Sequence, residues 1–342
     1  MRHVTMAAVV CLTALVLFGC TSGPRTASGG SNGKLRIGFS MDTLKEERWQ
    51  RDRDLFVQAA EALGAEVLVQ AANSDDQVQI QQAENLLTQG VDVLVVVPHN
   101  SQISAAIVEA AKRQGVPVVA YDRMITGADL DLYVGYDVPK IGELQAKYLL
   151  DRVSKGNYLL IEGAPTDNNS QVLTDGQMTI LKPAVDRGDI KIVATRYCKD
   201  WLPIEALNHT DNALTQNDNK IDAVLCANDG TAGGAVQALA GQGLAGKVPV
   251  TGQDADLAAL KRVVDGTQAM TIYKPIAPLA RTAAESAVAL ARKQPVKTTS
   301  TIDNGKKQVP SVLLEAIAVD AQNIRDTVVK DGYHSAADIG LK

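Results

Sequence analysis

Residues 35–70 read LRIGFSMDTLKEERWQRDRDLFVQAAEALGAEVLVQ, and the change of period inside them decides the fold. LRIGFSM (35–41) is a short, mostly apolar run, as a strand covered on both faces requires. Over 47–64 the period lengthens, and Phe56, Ala59, Ala60 and Leu63 fall on one face of a helix that Gly64 ends. EVLVQ (66–70) is again a strand. Strand, helix and strand in this order predict a βαβ unit and a parallel sheet.

The alternation continues outward. A helix is expected over 76–88, a strand over 91–98, a helix over 101–114 and a strand over 116–121. A second series follows, with strands at 157–163, 190–197, 221–227 and 247–252 and helices near 175–186, 204–215 and 231–241. The two series share several short matches in the same order. Leu87-Thr88-Gln89 precedes a run ending Pro98-His99-Asn100, and Leu214-Thr215-Gln216 precedes one ending Ala227-Asn228-Asp229. Gln114-Gly115 and Val116-Pro117-Val118 lead to Asp122, as Gln242-Gly243 and Val248-Pro249-Val250 lead to Asp254; the extra residues sit in the loop 244–247. Matches in this order favour two similarly folded α/β domains. Beyond Asp254, a helix over 256–265, a strand over 267–273, a helix over 276–292 and a strand over 309–319 complete neither domain alone.

With 342 residues, 46% hydrophobic and 21% charged, the chain has the composition of a globular protein of about two domains. A net charge of −5 supplies no basic field for nucleic acid. The first residues differ: Arg2 and His3, an apolar stretch over 9–18, then Leu17-Phe18-Gly19-Cys20. This is a signal-peptide layout, and Leu-x-Gly-Cys resembles the bacterial lipobox. That resemblance implies cleavage before Cys20, a lipid on its thiol and a membrane anchor; TSGPRTASGGSNG (21–33) would be the flexible tether. Cys198 and Cys226 are expected as free, buried thiols, because in a doubly wound sheet their strands flank the first strand rather than each other.

Polar residues gather just after the strands, where ligands bind in open α/β sheets. Asp42 follows strand 35–41, and Arg48 and Trp49 open the next helix. His99 and Asn100 follow 91–98, and Asp122 and Arg123 follow 116–121. Asp167, Asn168 and Asn169 follow 157–163, Asn228 and Asp229 follow 221–227, and Asp254 follows 247–252. Acceptors from Asp, donors from Arg and both from Asn form the mixed set that a neutral polyol needs. Only two tryptophans occur, Trp49 and Trp201, both beside these polar loops, where they could sandwich a sugar's C–H faces. Asp and Asn after strands also cap helices. Trp49 also fits a helix core, and Arg123 an ion pair; singly, these residues leave both readings open.

Longer motifs are more specific. Glu47-Arg48-Trp49-Gln50, Ala120-Tyr121-Asp122-Arg123-Met124-Ile125, Asp167-Asn168-Asn169, Trp201-Leu202-Pro203, Ala227-Asn228-Asp229, Gly252-Gln253-Asp254-Ala255-Asp256-Leu257 and Tyr273-Lys274-Pro275 resemble the sugar-binding proteins of ABC transporters, and most closely the xylose-binding family among them. The similarity runs from Leu35 to about Gly340. It implies an α/β fold of two Rossmann-like domains with parallel sheets joined by a three-strand hinge, the type I periplasmic binding protein fold. Crossings are expected near 134–138, 272–275 and 305–311. The implied layout is a leader over 1–19, a tether over 20–33, an N-terminal lobe of 35–136 plus 274–308, and a C-terminal lobe of 137–273 plus 309–342.

By the same resemblance, Arg48, Trp49, Asp122, Arg123, Asp167, Asn169, Trp201, Asn228, Asp254 and Lys274 hold the sugar. Lys274 enters only in this way. The implied ligand is D-xylose or a related monosaccharide, the implied partner an ABC permease, and the implied state a monomer without cofactor or metal. Another pentose or hexose, or a receptor role in a sensor system, is the alternative. An enzyme is not expected: His99, His209 and His334 have no triad or zinc spacing, and no Gly-x-Ser-x-Gly or Walker loop occurs. Asp218-Asn219-Lys220-Ile221-Asp222 lacks EF-hand spacing and reads as a solvated turn. A DNA-binding repressor would need a reading headpiece before Leu35, where the lipobox and tether stand.

Overall fold

The βαβ unit read from residues 35–70 is where the fold begins in the computed structural model, which describes Met1, His3 and residues 34–341. The apolar leader segment, Cys20 and the tether expected over 20–33 lie outside the described residues. β1 (Leu35–Met41), α1 (Glu47–Ala62) and β2 (Ala65–Ala71) follow one another, and β1 pairs with β2 in parallel from Leu35↔Ala65 to Met41↔Ala71. α2 (Asp76–Thr88) starts at Asp75, whose carboxylate accepts from the amides of Gln77 and Val78. β3 (Val93–Val96), α3 (Ala105–Arg113), β4 (Val118–Tyr121) and β5 (Leu132–Tyr136) continue the series, giving the parallel order β2-β1-β3-β4-β5.

The second series repeats the first. α4 (Val138–Leu150) leads to β6 (Gly156–Glu162), α5 (Asn168–Asp186), β7 (Ile190–Tyr197), α6 (Pro203–Gln216), β8 (Ala223–Cys226) and α7 (Asp229–Gly241). Its sheet order β7-β6-β8 corresponds to β2-β1-β3. The strand expected over 247–252 is reduced to two isolated parallel bridges, Val224↔Val250 and Ala245↔Val248. α8 (Leu257–Val264) and β9 (Thr271–Tyr273) follow, and the amides of Ala269 and Ile272 donate to the carbonyls of Val250 and Gly252.

The remainder departs from the expected boundaries. α9 (Ile276–Ala291) returns to pack on α1 and the first sheet. β10 (Ser300–Asp303) and β11 (Gln308–Leu314) then form an antiparallel hairpin that turns at Gly305, with φ +82, and β11 extends the first sheet beside β5. β12 (Ile317–Val319) pairs instead with β9. Residues 309–314 therefore belong with the first lobe's sheet, and the third crossing lies between Leu314 and Ile317 rather than near 305–311. The apolar run 309–319, read as one strand, serves two sheets, and hydropathy does not mark where the chain passes from one to the other.

Both sheets are covered on both faces. In the first, Ile37, Phe39, Val93, Val95, Val119 and Tyr121 face α1 and α9, while Leu94, Val96, Val118 and Ala120 belong to a separate cluster with α2 and α3. In the second, Leu159 and Ile161 alternate with Tyr158 and Leu160 between two clusters. This explains the continuous apolar runs. α4 and α5 approach so closely that a Cβ at Gly142 would collide with the Leu173 carbonyl. Cys198, just after β7, and Cys226, in β8, lie on either side of β6 as free, buried thiols; burial pushes the Cys198 thiol up to about 12.

At the end of β6 sits Glu162, fully buried, with Oε1 unpartnered and Oε2 3.5 Å from Gln177 Nε2. Burial pushes its carboxyl up to about 8, against hydrogen bonds from Thr174 and Gln177. It is therefore protonated in the fold over a range where the unfolded chain ionises, and its contribution to stability falls as pH rises from about 4.5 to 8. Glu162→Gln is expected to melt near the wild-type temperature at pH 5 and progressively above it toward pH 8, by on the order of 4 kcal/mol. Melts across that range check this; a gap independent of pH would refute it.

Candidate functional site

Two aspartates at equivalent points of the repeat begin the site. Asp122 follows β4 with φ +61, and its amide donates to the Val134 carbonyl at 2.8 Å. Asp254 follows the bridge at Val250 with φ +101, and its amide donates to the Ile272 carbonyl at 2.7 Å. A side chain in left-handed backbone costs about 1–3 kcal/mol and persists where the surroundings fix it. Here each aspartate is fixed by the strand that runs into its lobe's crossing.

Both carboxylates meet Arg48, in the first turn of α1. Arg48 donates from Nη2 to Asp122 Oδ2 at 2.8 Å, from Nη1 to Asp254 Oδ1 at 3.1 Å, and from Nε to Asp52 Oδ2 at 3.1 Å. Lys274, between β9 and α9, lies 3.1 Å from Asp254 Oδ1 and 3.5 Å from Asp122 Oδ2. All five side chains are buried. Burial alone would push the Asp122 carboxyl up; Arg48, then Lys274, outweigh it and hold it down at about 2.

A second cluster lies alongside. Arg123 Nε is 2.8 Å from Asp167 Oδ2, and Nη1 donates to Asp42 Oδ2 at 2.8 Å. Trp201 Nε1 donates to Asp167 Oδ2 at 3.2 Å, and Asn169 Nδ2 to the Asp122 carbonyl at 2.9 Å. The Arg48 guanidinium lies 4.2 Å from the Trp49 ring centre, and that of Arg123 lies 5.1 Å from it and 6.0 Å from the ring of Trp201. Trp201 itself has φ +57 and rests on Gly163, where a Cβ would collide with the indole. The capping and cavity readings left open by the sequence coexist: Asp167 caps α5 through the Asn169 amide, and Asn228 caps α7 through that of Thr231.

All ten residues expected from the sequence line one cavity, with Glu46, Tyr136, Val138, Ile141, Leu173 and Gln253 completing its wall. Its empty space, mouth included, is about 530 Å³. Arg48, Trp49, Asp122 and Arg123 come from the first lobe, Asp167, Asn169, Trp201, Asn228 and Asp254 from the second, and Lys274 from a crossing. Asp52, which buttresses Arg48, is not among the residues read from the sequence, whereas Asp42, which buttresses Arg123, is named there after strand 35–41 but not among the ten. The spacing of Arg48 and Asp52, one helical turn apart, was the available signal for the first; Tyr121 also donates to Asp52. Among the described residues no group of three or more His, Cys, Asp or Glu is placed to hold a metal ion.

A model of the periplasmic binding protein domain matches residues 37–295. The chain is a periplasmic binding protein. Proteins of this family bind solutes and are not enzymes. This periplasmic binding protein is 52% identical to the D-xylose-binding periplasmic protein of Escherichia coli K12, over 95% of this chain and 98% of that one. It is 50% identical to the protein of that name from Haemophilus influenzae, over 92% and 94%. Its type I fold matches the crystal structure of a carbohydrate transporter solute-binding protein from Chloroflexus aurantiacus in complex with D-glucose, with a TM-score of 0.84 and 31% identity over 90% of this chain and 98% of that one.

The depressed pKa of Asp122 has a consequence opposite in sign to that of Glu162. Its contribution to stability is complete above about pH 4 and fades as pH falls toward 2. Asp122→Asn, which the left-handed backbone tolerates, is expected to lower stability by about 2 kcal/mol at pH 7 and to converge on the wild type near pH 2. Urea unfolding across pH tests this; a constant deficit would contradict it.

Proposed function

We propose that this protein captures one monosaccharide, D-xylose, between its lobes and delivers it to an ABC permease. One observation carries the reading: ten side chains from both lobes, of the types that D-xylose binding implies, converge on one cavity in a chain half identical to two D-xylose-binding proteins. Carboxylates accept from sugar hydroxyls, guanidinium, ammonium and amide groups donate to them, and the two indoles cover C–H faces. Neither lobe holds the whole set, so the ligand makes its full contacts only with the lobes together, and binding biases the equilibrium toward closure about the three crossings.

Titration calorimetry with D-xylose, D-ribose, L-arabinose and D-glucose tests the assignment. One-to-one binding of D-xylose above the others is expected, with Trp201→Ala weakening it on the order of a hundredfold. The D-glucose in the Chloroflexus structure favours a hexose as the second reading. Heat from glucose but not xylose would establish that alternative and overturn the pentose.

The proposal includes a lipid on Cys20 that holds the protein on the extracytoplasmic face of the membrane, supported by Leu17-Phe18-Gly19-Cys20 and the Gly- and Ser-rich segment after it. Detergent-phase partitioning from cells is expected to place the protein with the lipids and Cys20→Ser in the aqueous phase. Aqueous partitioning of both would leave a freely diffusing binding protein.

A further inference from the structure

The cleft is bridged by hydrogen bonds that never touch its cavity. Leu257, the first residue of α8 in the second lobe, donates its amide at 3.0 Å to Glu47 Oε2, on α1 of the first lobe. Asn168, the first residue of α5 in the second lobe, donates its amide at 2.8 Å to Ser101 Oγ, in the loop after β3 of the first lobe. Neither Glu47 nor Ser101 lines the cavity.

These amides are the ones a helix leaves without an internal partner. α8 does not supply its own cap: its N-cap residue, Asp256, makes no side-chain capping bond among the described residues. α5 caps only its second amide, through Asp167 and Asn169. In each case the first amide finds its acceptor on the other lobe. Each acceptor is held from its own lobe: Glu47 Oε1 pairs with Arg51 Nη2 at 3.2 Å, and the Ser101 carbonyl accepts from the Thr126 amide at 2.9 Å. Each also meets the second lobe a second time, as His334 Nε2 lies 3.4 Å from Glu47 Oε1 and the Ser101 amide donates to the Thr166 carbonyl at 2.9 Å.

We infer that Glu47 and Ser101 are positioning residues for closure: each caps a helix of the opposite lobe and so sets how long a bound sugar is held, without contacting it. The inference rests on the proposed sugar-binding role of the cleft. When the lobes part, water replaces each acceptor, so the bonds favour the closed state without holding either lobe together. Their loss then acts on the opening step. Carboxylate and hydroxyl caps contribute modestly, so each deletion should speed release by roughly three- to tenfold and leave encounter with the sugar unchanged.

Stopped-flow tryptophan fluorescence reads both rates, because Trp49 and Trp201 line the cavity. In Glu47→Ala and Ser101→Ala, sugar dissociation should rise by about three- to tenfold each and multiply in the double variant, with association within about twofold of wild type. Glu47→Gln, which keeps an acceptor, should recover part of the loss. Sugar-free melting temperatures should stay within about 1 °C of wild type, since each cap lies between lobes rather than inside one. Wild-type dissociation rates in both variants would overturn the inference and leave the sugar-binding reading intact. A fall in sugar-free melting temperature with unchanged release would overturn it too, making the caps structural. A wild-type protein that binds none of the four sugars would overturn both.

Discussion

The guanidinium of Arg48 is buried among three carboxylates, and two of these, Asp122 and Asp254, come from different lobes. An uncompensated charge in such a place costs several kcal/mol, so the arrangement persists only with its partners in position. Lys274 sits between the same two aspartates and enters from a crossing rather than from either lobe's interior. The cationic pair thus ties together the first helix, the equivalent turns at Asp122 and Asp254 and the hinge. The closed shape of the cleft and the electrostatics inside it are one arrangement.

That arrangement also explains where the backbone departs from regular geometry. The repeat places Asp122 and Asp254 at equivalent strand ends, both with positive φ and both with the amide spent on the next strand. The turn directs each carboxylate inward at the edge of its sheet. Trp201 and Asp200, also at positive φ, do the same for the indole that rests on Gly163. At Asp122, Trp201 and Asp254 the strained backbone borders the cavity, and the covered sheets behind supply the rigidity that sustains it.

Polar residues in the cleft have two kinds of partner. Asp167 and Asn228 cap helices of their own lobe while facing the cavity, so local folding and the binding surface draw on the same side chains. Glu47 and Ser101 cap helices of the opposite lobe and do not line the cavity. A binding protein must hold its ligand and also release it. Contacts that join the lobes without engaging the ligand adjust that balance while leaving the chemistry of recognition alone.

The sequence by itself determined most of the elements and their duplication, though not β5 and α4. Helix 76–88 and strand 190–197 fall at the expected residues, because periodicity, caps and turn residues act over a few positions. It also determined which residue types collect at strand ends, and motif resemblance added Lys274. Tertiary structure decided what those residues meet. Arg48 and Asp254 are remote in sequence, and Asp52 becomes part of the site only because Tyr121 and Arg48 close around it. The same holds for the run 309–319, which divides between two sheets although its hydropathy is continuous. Local backbone preference and apolar spacing are written along the chain. Pairing across the cleft depends on sheet order and on where the chain crosses between lobes, and only the packed fold fixes these.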